Sequence, residues 1–190
     1  MNPIDEDAPM TPAPASTQAG APLATVSLRQ GATPMVRLVP MSEPVFAELL
    51  PRAIEAYAQE NVLSGRWPPA GALARSRHVY ETLLPHGVRT PSHAWFEIHD
   101  QAHARAGWLW YALDRDQPAP QAHVYEIWIA PEHRRKGIAT AAFRLMEKQL
   151  KAQGVAGVTL HVFAHNAAAR ALYVRLGYAV ASVNMHKPLD

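Results

Sequence analysis

The 190-residue sequence contains no cysteine. That excludes disulfides, thiolate zinc sites and any covalent chemistry on a cysteine sulfur. No apolar run approaches the ~18 residues that a membrane span needs, so no membrane partner is expected. The first residues lack the basic start and continuous apolar stretch of a secretory signal. They open instead with Asp5, Glu6 and Asp7, and Arg29 is the sole base before residue 35, which also argues against a transit peptide. The cytoplasm is the expected compartment. Charge of one sign is scarce too. A formal net charge of +2 falls well short of a nucleic-acid binder's basic stripe, so no nucleic-acid partner is expected.

Residues 1–34 have no aromatic residue, but hold six of the 17 prolines and seven alanines. Such a segment buries too little apolar surface to offset the entropy of ordering it, and it reads as a disordered Pro/Ala-rich tail. The 48% hydrophobic composition of the whole chain supports one domain with its own core, read over residues 35–190.

Hydrophobic periodicity and breakers divide that domain. Val36–Val39 reads as a short strand. Ser42 and Pro44 open a helix carrying Val45, Leu49, Ala53, Ile54 and Tyr57 at helical spacing, with Pro51 predicting a kink or break and Gly65 the end. A second helix spans about Ala70–Leu84. His93–His99 and Ala106–Leu113 form an antiparallel pair, and Gln121–Ala130 a longer strand. A helix covers about Arg134–Gln153, a strand Val155–Phe163, a helix Asn166–Leu176, and a last strand Tyr178–Lys187. The order β-α-α-β-β-β-α-β-α-β places three strands in succession. It predicts an α/β chain of the α+β kind with a mixed sheet, not a doubly wound one.

Two segments carry chemistry. In Val124–Ala139 a strand runs into Pro131, a basic turn of Arg134, Arg135 and Lys136, then Gly137 and Ala139 at a helix start. Free N–H groups, the positive dipole end and small residues that permit close approach favour a diphosphate. The pattern R-x-x-G-x-A also fits an ordinary solvated basic turn. No G-x-x-x-x-G-K-[ST] and no G-x-G-x-x-G is present, which sets aside a P-loop hydrolase and a dinucleotide site. One strand later comes Asn166, a good N-cap, then Ala169, Arg170, Leu172, Tyr173, Gly177 and Tyr178. Leu172 is expected to face the core and Tyr173 to point elsewhere, while Gly177 permits a left-handed helix end.

Together the two segments resemble the GNAT superfamily of acetyl-CoA-dependent N-acetyltransferases. The cofactor motif [Q/R]-x-x-G-x-[G/A] corresponds to Arg134, Gly137 and Ala139. The later motif corresponds to Asn166, Ala169, Arg170, Leu172, Tyr173, Gly177 and Tyr178. The resemblance covers roughly 35–190 and implies a GNAT-like acyl-CoA N-acyltransferase fold. The segments Tyr57–Glu60, Trp67, Leu84-Pro85 and His161–Asn166 are similar to a bacterial subgroup of the family.

The resemblance implies acetyl-CoA as co-substrate, lying between splayed strands Gln121–Ala130 and Val155–Phe163, and a primary amine of a small molecule, peptide or protein as acceptor. Arg134, Arg135, Lys136, Gly137, Ile138 and Ala139 would hold the pyrophosphate, with Asn166 and Arg170 contributing to the cofactor site. Ile127 and Ile129 would pair with the pantetheine arm, and one of their amides would polarise the thioester carbonyl. Tyr173 matches the general-acid position. Glu126, a carboxylate inside an apolar strand, is the favoured base; its other reading is a structural partner for a nearby cation. His123 is the alternative base. Tyr57, Glu60 and Trp67 are candidates for the acceptor site. His161 and His165 share strand parity but lack a third ligand, so no metal is expected. A catalytically idle acyl-CoA sensor on the same fold is the competing reading, and a homodimer stays open.

Overall fold

The computed structural model describes residues 35–116, 118–185 and 187; the tail expected at 1–34 lies outside them. The elements are β1 (Arg37–Pro40), α1 (Glu43–Leu63), α2 (Ala72–Leu83), β2 (His93–His99), β3 (Arg105–Asp114), β4 (Gln121–Ile129), α3 (Ile138–Ala152), β5 (Gly157–Leu160) and α4 (Ala167–Leu176). They build a sheet in the order β1-β2-β3-β4-β5, antiparallel as far as β4, with β5 parallel to β4. The mixed sheet is the one expected, and the element order matches through α4.

Four boundaries differ for physical reasons. α1 runs unbroken through Pro51. The proline lies on the exposed face, while the opposite face buries Phe46, Leu49, Ala53 and Ile54. That burial, worth about 1.5–3 kcal/mol for each large side chain, outweighs the roughly 3 kcal/mol a helix-interior proline costs. α3 starts at Ile138 and not Arg134, because Arg135 (φ 61°) and Gly137 (φ 77°) adopt the left-handed region that a helix excludes. β5 stops at Leu160, short of Phe163. The strand expected at Tyr178–Lys187 is not formed: residues 178–185 belong to no strand or helix. Val180, Val183 and Met185 are 77%, 74% and 89% exposed. Their numbering mixes parities, so no single register would bury all three on one face.

Two cores flank the sheet. On one side α3 and α4 pack Phe143, Leu145, Met146 and Tyr173 against Leu109, Tyr111 and Val124. On the other, α1 and α2 pack Phe46, Ile54 and Tyr80 against Trp95, Trp108 and Trp110. β4 contributes to both cores, Val124 to the first and Tyr125 and Trp128 to the second, and its pairing with β3 is interrupted within that stretch. β3 and β4 come unusually close at Gly107, where a Cβ would lie 2.0 Å from the Trp128 carbonyl oxygen, so only glycine fits.

Candidate active site

The interruption is a β-bulge. Trp110 pairs with Glu126 and Tyr111 with Val124, leaving Tyr125 as the extra residue. A bulge bends its strand and ends regular pairing. On the other edge of β4 the ladder to β5 accordingly finishes at Val124–Leu160. Beyond this point the two parallel strands separate. Ala130 N–H donates to the Ala106 carbonyl at 2.8 Å, so Ala130 faces β3. By strand alternation the main-chain groups of Ile129 and Ile127 point the other way, into the split.

The row Trp95–Trp110–Glu126 carries Glu126 onto the α1/α2 face. Its carboxylate is part-buried among aromatic rings. Tyr80 Oη approaches Oε2 at 3.5 Å, and Tyr80 stacks obliquely on Trp110, ring centroids 5.4 Å apart. Burial pushes the Glu126 carboxyl up to about 7, opposed by the Trp108 indole, the Tyr80 hydroxyl and the Arg52 charge. Arg52 lies 3.9 Å above the centre of the Trp128 ring. Burial, reinforced by Glu126, raises the Tyr80 phenol well above its ordinary value, so Tyr80 remains a hydrogen-bond donor.

Tyr173 lies on the opposite face. Contrary to expectation it is the buried residue of its pair, 9% exposed, with Leu172 only partly covered. It meets Phe143 at 5.4 Å and Tyr178 at 5.9 Å, both edge-on. Its hydroxyl makes no hydrogen bond to a described residue and reaches the surface. Burial pushes its pKa up to about 12. The carboxylate therefore lies on one face of the sheet and the phenol on the other.

At the far end of β4 the turn into α3 has the chemistry of an anion cradle. Gly137 is the N-cap, and Ala141 N–H is bonded to the Gly137 carbonyl. Ile138, Ala139 and Thr140 come earlier in the helix and have no intrahelical acceptor. The Ile138 side chain is core, leaving its backbone for a ligand. Arg135 and Lys136 are exposed and make no hydrogen bond or ion pair among the described residues. Arg134 is committed differently: its Nε donates to the Ile129 carbonyl at 2.9 Å, fastening the turn to the strand. Asn166 caps α4, accepting from Ala169 N–H at 3.1 Å, and Arg170 reaches the Ala164 carbonyl at 3.4 Å. These residues fit a diphosphate ligand at the α3 turn, with Asn166 and Arg170 shaping the neighbouring loop.

Of the acceptor candidates, Tyr57 contacts Trp67 edge-on at 5.5 Å and Tyr80 at 6.1 Å, so an aromatic wall leads from the end of α1 towards Glu126. Glu60 accepts from His165 Nε2 at 2.7 Å and ties α1 to the β5–α4 loop. His123 Nδ1 lies 2.9 Å from Thr159 Oγ1, and burial with the neighbouring His161 lowers its pKa. His161 and His165 follow the end of β5, so shared strand parity does not apply to them. Among the described residues no group of three or more His, Asp or Glu side chains has metal-binding geometry, and no helix is long and apolar enough to cross a membrane.

Arg52, Tyr80, Trp108 and Tyr125 went unmarked in the linear reading. Tyr80 alone carries a trace of a signal: it shares a helical face with Ala72, Ser76 and Leu83, and a buried phenol needs a partner.

Known proteins bear on this geometry. Residues 53–178 match the acetyltransferase (GNAT) family. An uncharacterised N-acetyltransferase of Bacillus subtilis, YycN, is 33% identical over 154 residues, spanning 81% of this chain and 99% of its own length. The crystal structure of YycN superposes with a TM-score of 0.78, covering 81% of this chain and 98% of that one. A shorter match, 36% identical over 63 residues, joins 33% of this chain to 43% of an Escherichia coli alanine N-acetyltransferase that acts on ribosomal protein bS18. With the family match covering well over half its length, the chain belongs to the GNAT family of acetyltransferases.

Proposed function

We propose that the protein transfers the acetyl group of acetyl-CoA directly to a primary amine bound on the α1/α2 face. The supporting observation is the split beside the Tyr125 bulge, with Glu126 on one face and Tyr173 on the other. Acetyl-CoA supplies the activated acetyl thioester. The N–H groups at the start of α3, with Arg135 and Lys136, hold its diphosphate. The Ile127 and Ile129 backbone groups orient its pantetheine arm, and one of those amides donates to the carbonyl oxygen that gains charge. Glu126 removes the amine proton, and Tyr173 donates a hydrogen bond to the departing sulfur. A bare acyl-CoA sensor has no need of the carboxylate and phenol on opposite faces.

Saturating acetyl-CoA should raise the melting temperature: at one hundred times its dissociation constant it contributes about 2.7 kcal/mol. Thiol release with a panel of amines then reads transfer. An unmoved melting temperature defeats the cofactor assignment, and thermal stabilisation without thiol release returns the sensor reading.

Glu126→Gln separates base from structural carboxylate. Because the native carboxyl is held up to about 7, the folded state keeps a proton that the unfolded chain has released above its ordinary pKa. That stabilisation is complete below the unfolded value and lost as pH rises through about 7. The Gln variant should therefore melt close to wild type at pH 5 and above it at pH 8. Its kcat/KM defect should be greatest near neutrality, where the amine is protonated, and shrink at high pH, where free amine is abundant. A defect of constant size across pH moves the search to His123 or a water chain.

A further inference from the structure

The groups around Glu126 differ in what they can offer a carboxylate. Trp110, its cross-strand neighbour, gives its indole N–H to His93 Nδ1 at 2.9 Å. The Trp108 N–H is buried without a hydrogen-bond partner and favours the carboxylate only by its nearby dipole. Arg52 is stacked over Trp128 and favours it by charge. Among the described residues, the one side chain that hydrogen-bonds Glu126 is Tyr80, whose Oη donates to Oε2 at 3.5 Å. The direction of that hydroxyl is fixed by packing. Tyr80 is 5% exposed and lies on the buried stripe of α2 with Ala72, Ser76 and Leu83. Ser76 Oγ donates to the Ile54 carbonyl at 2.6 Å, which clamps α2 to α1. The Tyr80 ring meets Tyr57 at 6.1 Å and Trp110 at 5.4 Å, so neighbours on α1 and β3 hold it in place.

We infer that Tyr80 is a positioning residue for the transfer: its hydroxyl pins Glu126 Oε2 and leaves Oε1 for the acceptor amine. This rests on the base role proposed above for Glu126 and adds the group that orients it. A glutamate side chain has several rotatable bonds, and fixing one oxygen removes much of that freedom before the amine arrives. The proton then passes from the ammonium nitrogen to Oε1. That frees the nitrogen lone pair and leaves a neutral carboxyl still bonded to Tyr80 through Oε2. A phenol donor favours the ionised carboxylate, so it opposes the burial that raises the group. The other charged and titratable groups around Glu126 are Arg52 and Tyr57 on α1, His93 on β2, and His123 and Tyr125 on β4. His93 carries no charge near neutrality, because it accepts from Trp110 and burial lowers it to about 4. Removing the Tyr80 hydroxyl leaves all of these in place.

The test is Tyr80→Phe, which keeps the ring contacts and loses the hydroxyl. Carbon-13 NMR of the full chain, labelled at the glutamate side-chain carboxyls, reads the titration directly, with the Glu126 signal identified by its loss in Glu126→Gln. In Tyr80→Phe the Glu126 midpoint should rise by about one pH unit, the lower end for a charged hydrogen bond and in keeping with its length. With the amine of the panel that gives the fastest thiol release, the acid limb of kcat/KM should move with it. The variant should be about tenfold slower than wild type at pH 6 and within about threefold at pH 9. The acetyl-CoA thermal shift should be unchanged. In a Glu126→Gln background the same substitution should have no further effect on rate, because the hydroxyl acts through the carboxylate. An unmoved Glu126 midpoint overturns the assignment. So does a loss that is equal at every pH and recurs in the Glu126→Gln background, since packing alone would produce it. Wild-type turnover by Glu126→Gln removes the base, and Tyr80's role with it, while leaving the transferase reading standing. Wild-type protein that neither shifts with acetyl-CoA nor releases thiol with any amine loses the transferase reading, whatever the Glu126 midpoint does.

Discussion

Replacing Tyr173 by Phe should lower kcat by about a hundredfold and leave the thermal shift produced by acetyl-CoA unchanged. Phe preserves the edge-on contacts with Phe143 and Tyr178, so the core keeps its packing and the variant loses only the hydroxyl. With its pKa pushed up to about 12, that hydroxyl stays protonated across the working range. An ordinary thiol has a pKa near 8.5, so the leaving thiolate is a weaker base than the Tyr173 phenolate. Full proton transfer therefore runs uphill. The hydroxyl acts by donating a hydrogen bond to developing charge, an interaction of about 1.5–3 kcal/mol, or roughly tenfold to 150-fold in rate. The pH profile should accordingly show no alkaline fall attributable to Tyr173 below about pH 11. A variant within threefold of wild type, with unchanged acetyl-CoA binding, removes Tyr173 from the reaction.

Gly137→Val should abolish the acetyl-CoA thermal shift. Two effects act at this position. The backbone adopts φ 77°, where a β-branched residue is strained by at least 1–2 kcal/mol, so the free protein should melt several degrees lower. The added side chain would also crowd an anion approaching the first-turn N–H groups. Gly137→Asn separates the two, because asparagine tolerates the left-handed region. It should melt near wild type and still bind acetyl-CoA at least tenfold more weakly. An Asn variant that retains the full shift shows that the diphosphate does not approach this turn closely.

Much of the architecture is legible in the residues because it depends on local chemistry. The apolar stripes of α1 and α3, the Asn166 cap and the Gly177 stop act within a turn or two of the chain, and the folded protein has each of them in place. The motif around Arg134–Ala139 signals an anion cradle by the same local logic, since small residues and free N–H groups at a helix start are sequence-near features. Local reasoning overreached at Tyr178–Lys187. It registered apolar content there, but strand formation needs a partner edge, and residues 178–185 form no pairing.

What tertiary structure alone decided is the position of the groups across the sheet. The bulge at Tyr125 arises from pairing two strands with unequal residue counts, and no spacing within β4 announces it. That bulge ends the β4–β5 ladder at Leu160 and opens the split. The environment of Glu126 is likewise assembled from distant parts of the chain: Arg52 from α1, Tyr80 from α2 and Trp108 from β3. The sequence could place a carboxylate in an apolar strand, but its raised pKa depends on desolvation by neighbours that only the folded packing brings together. The same holds for Tyr173, which packs against Phe143 on another helix, and for the Glu60–His165 contact, which joins the end of α1 to the chain after β5.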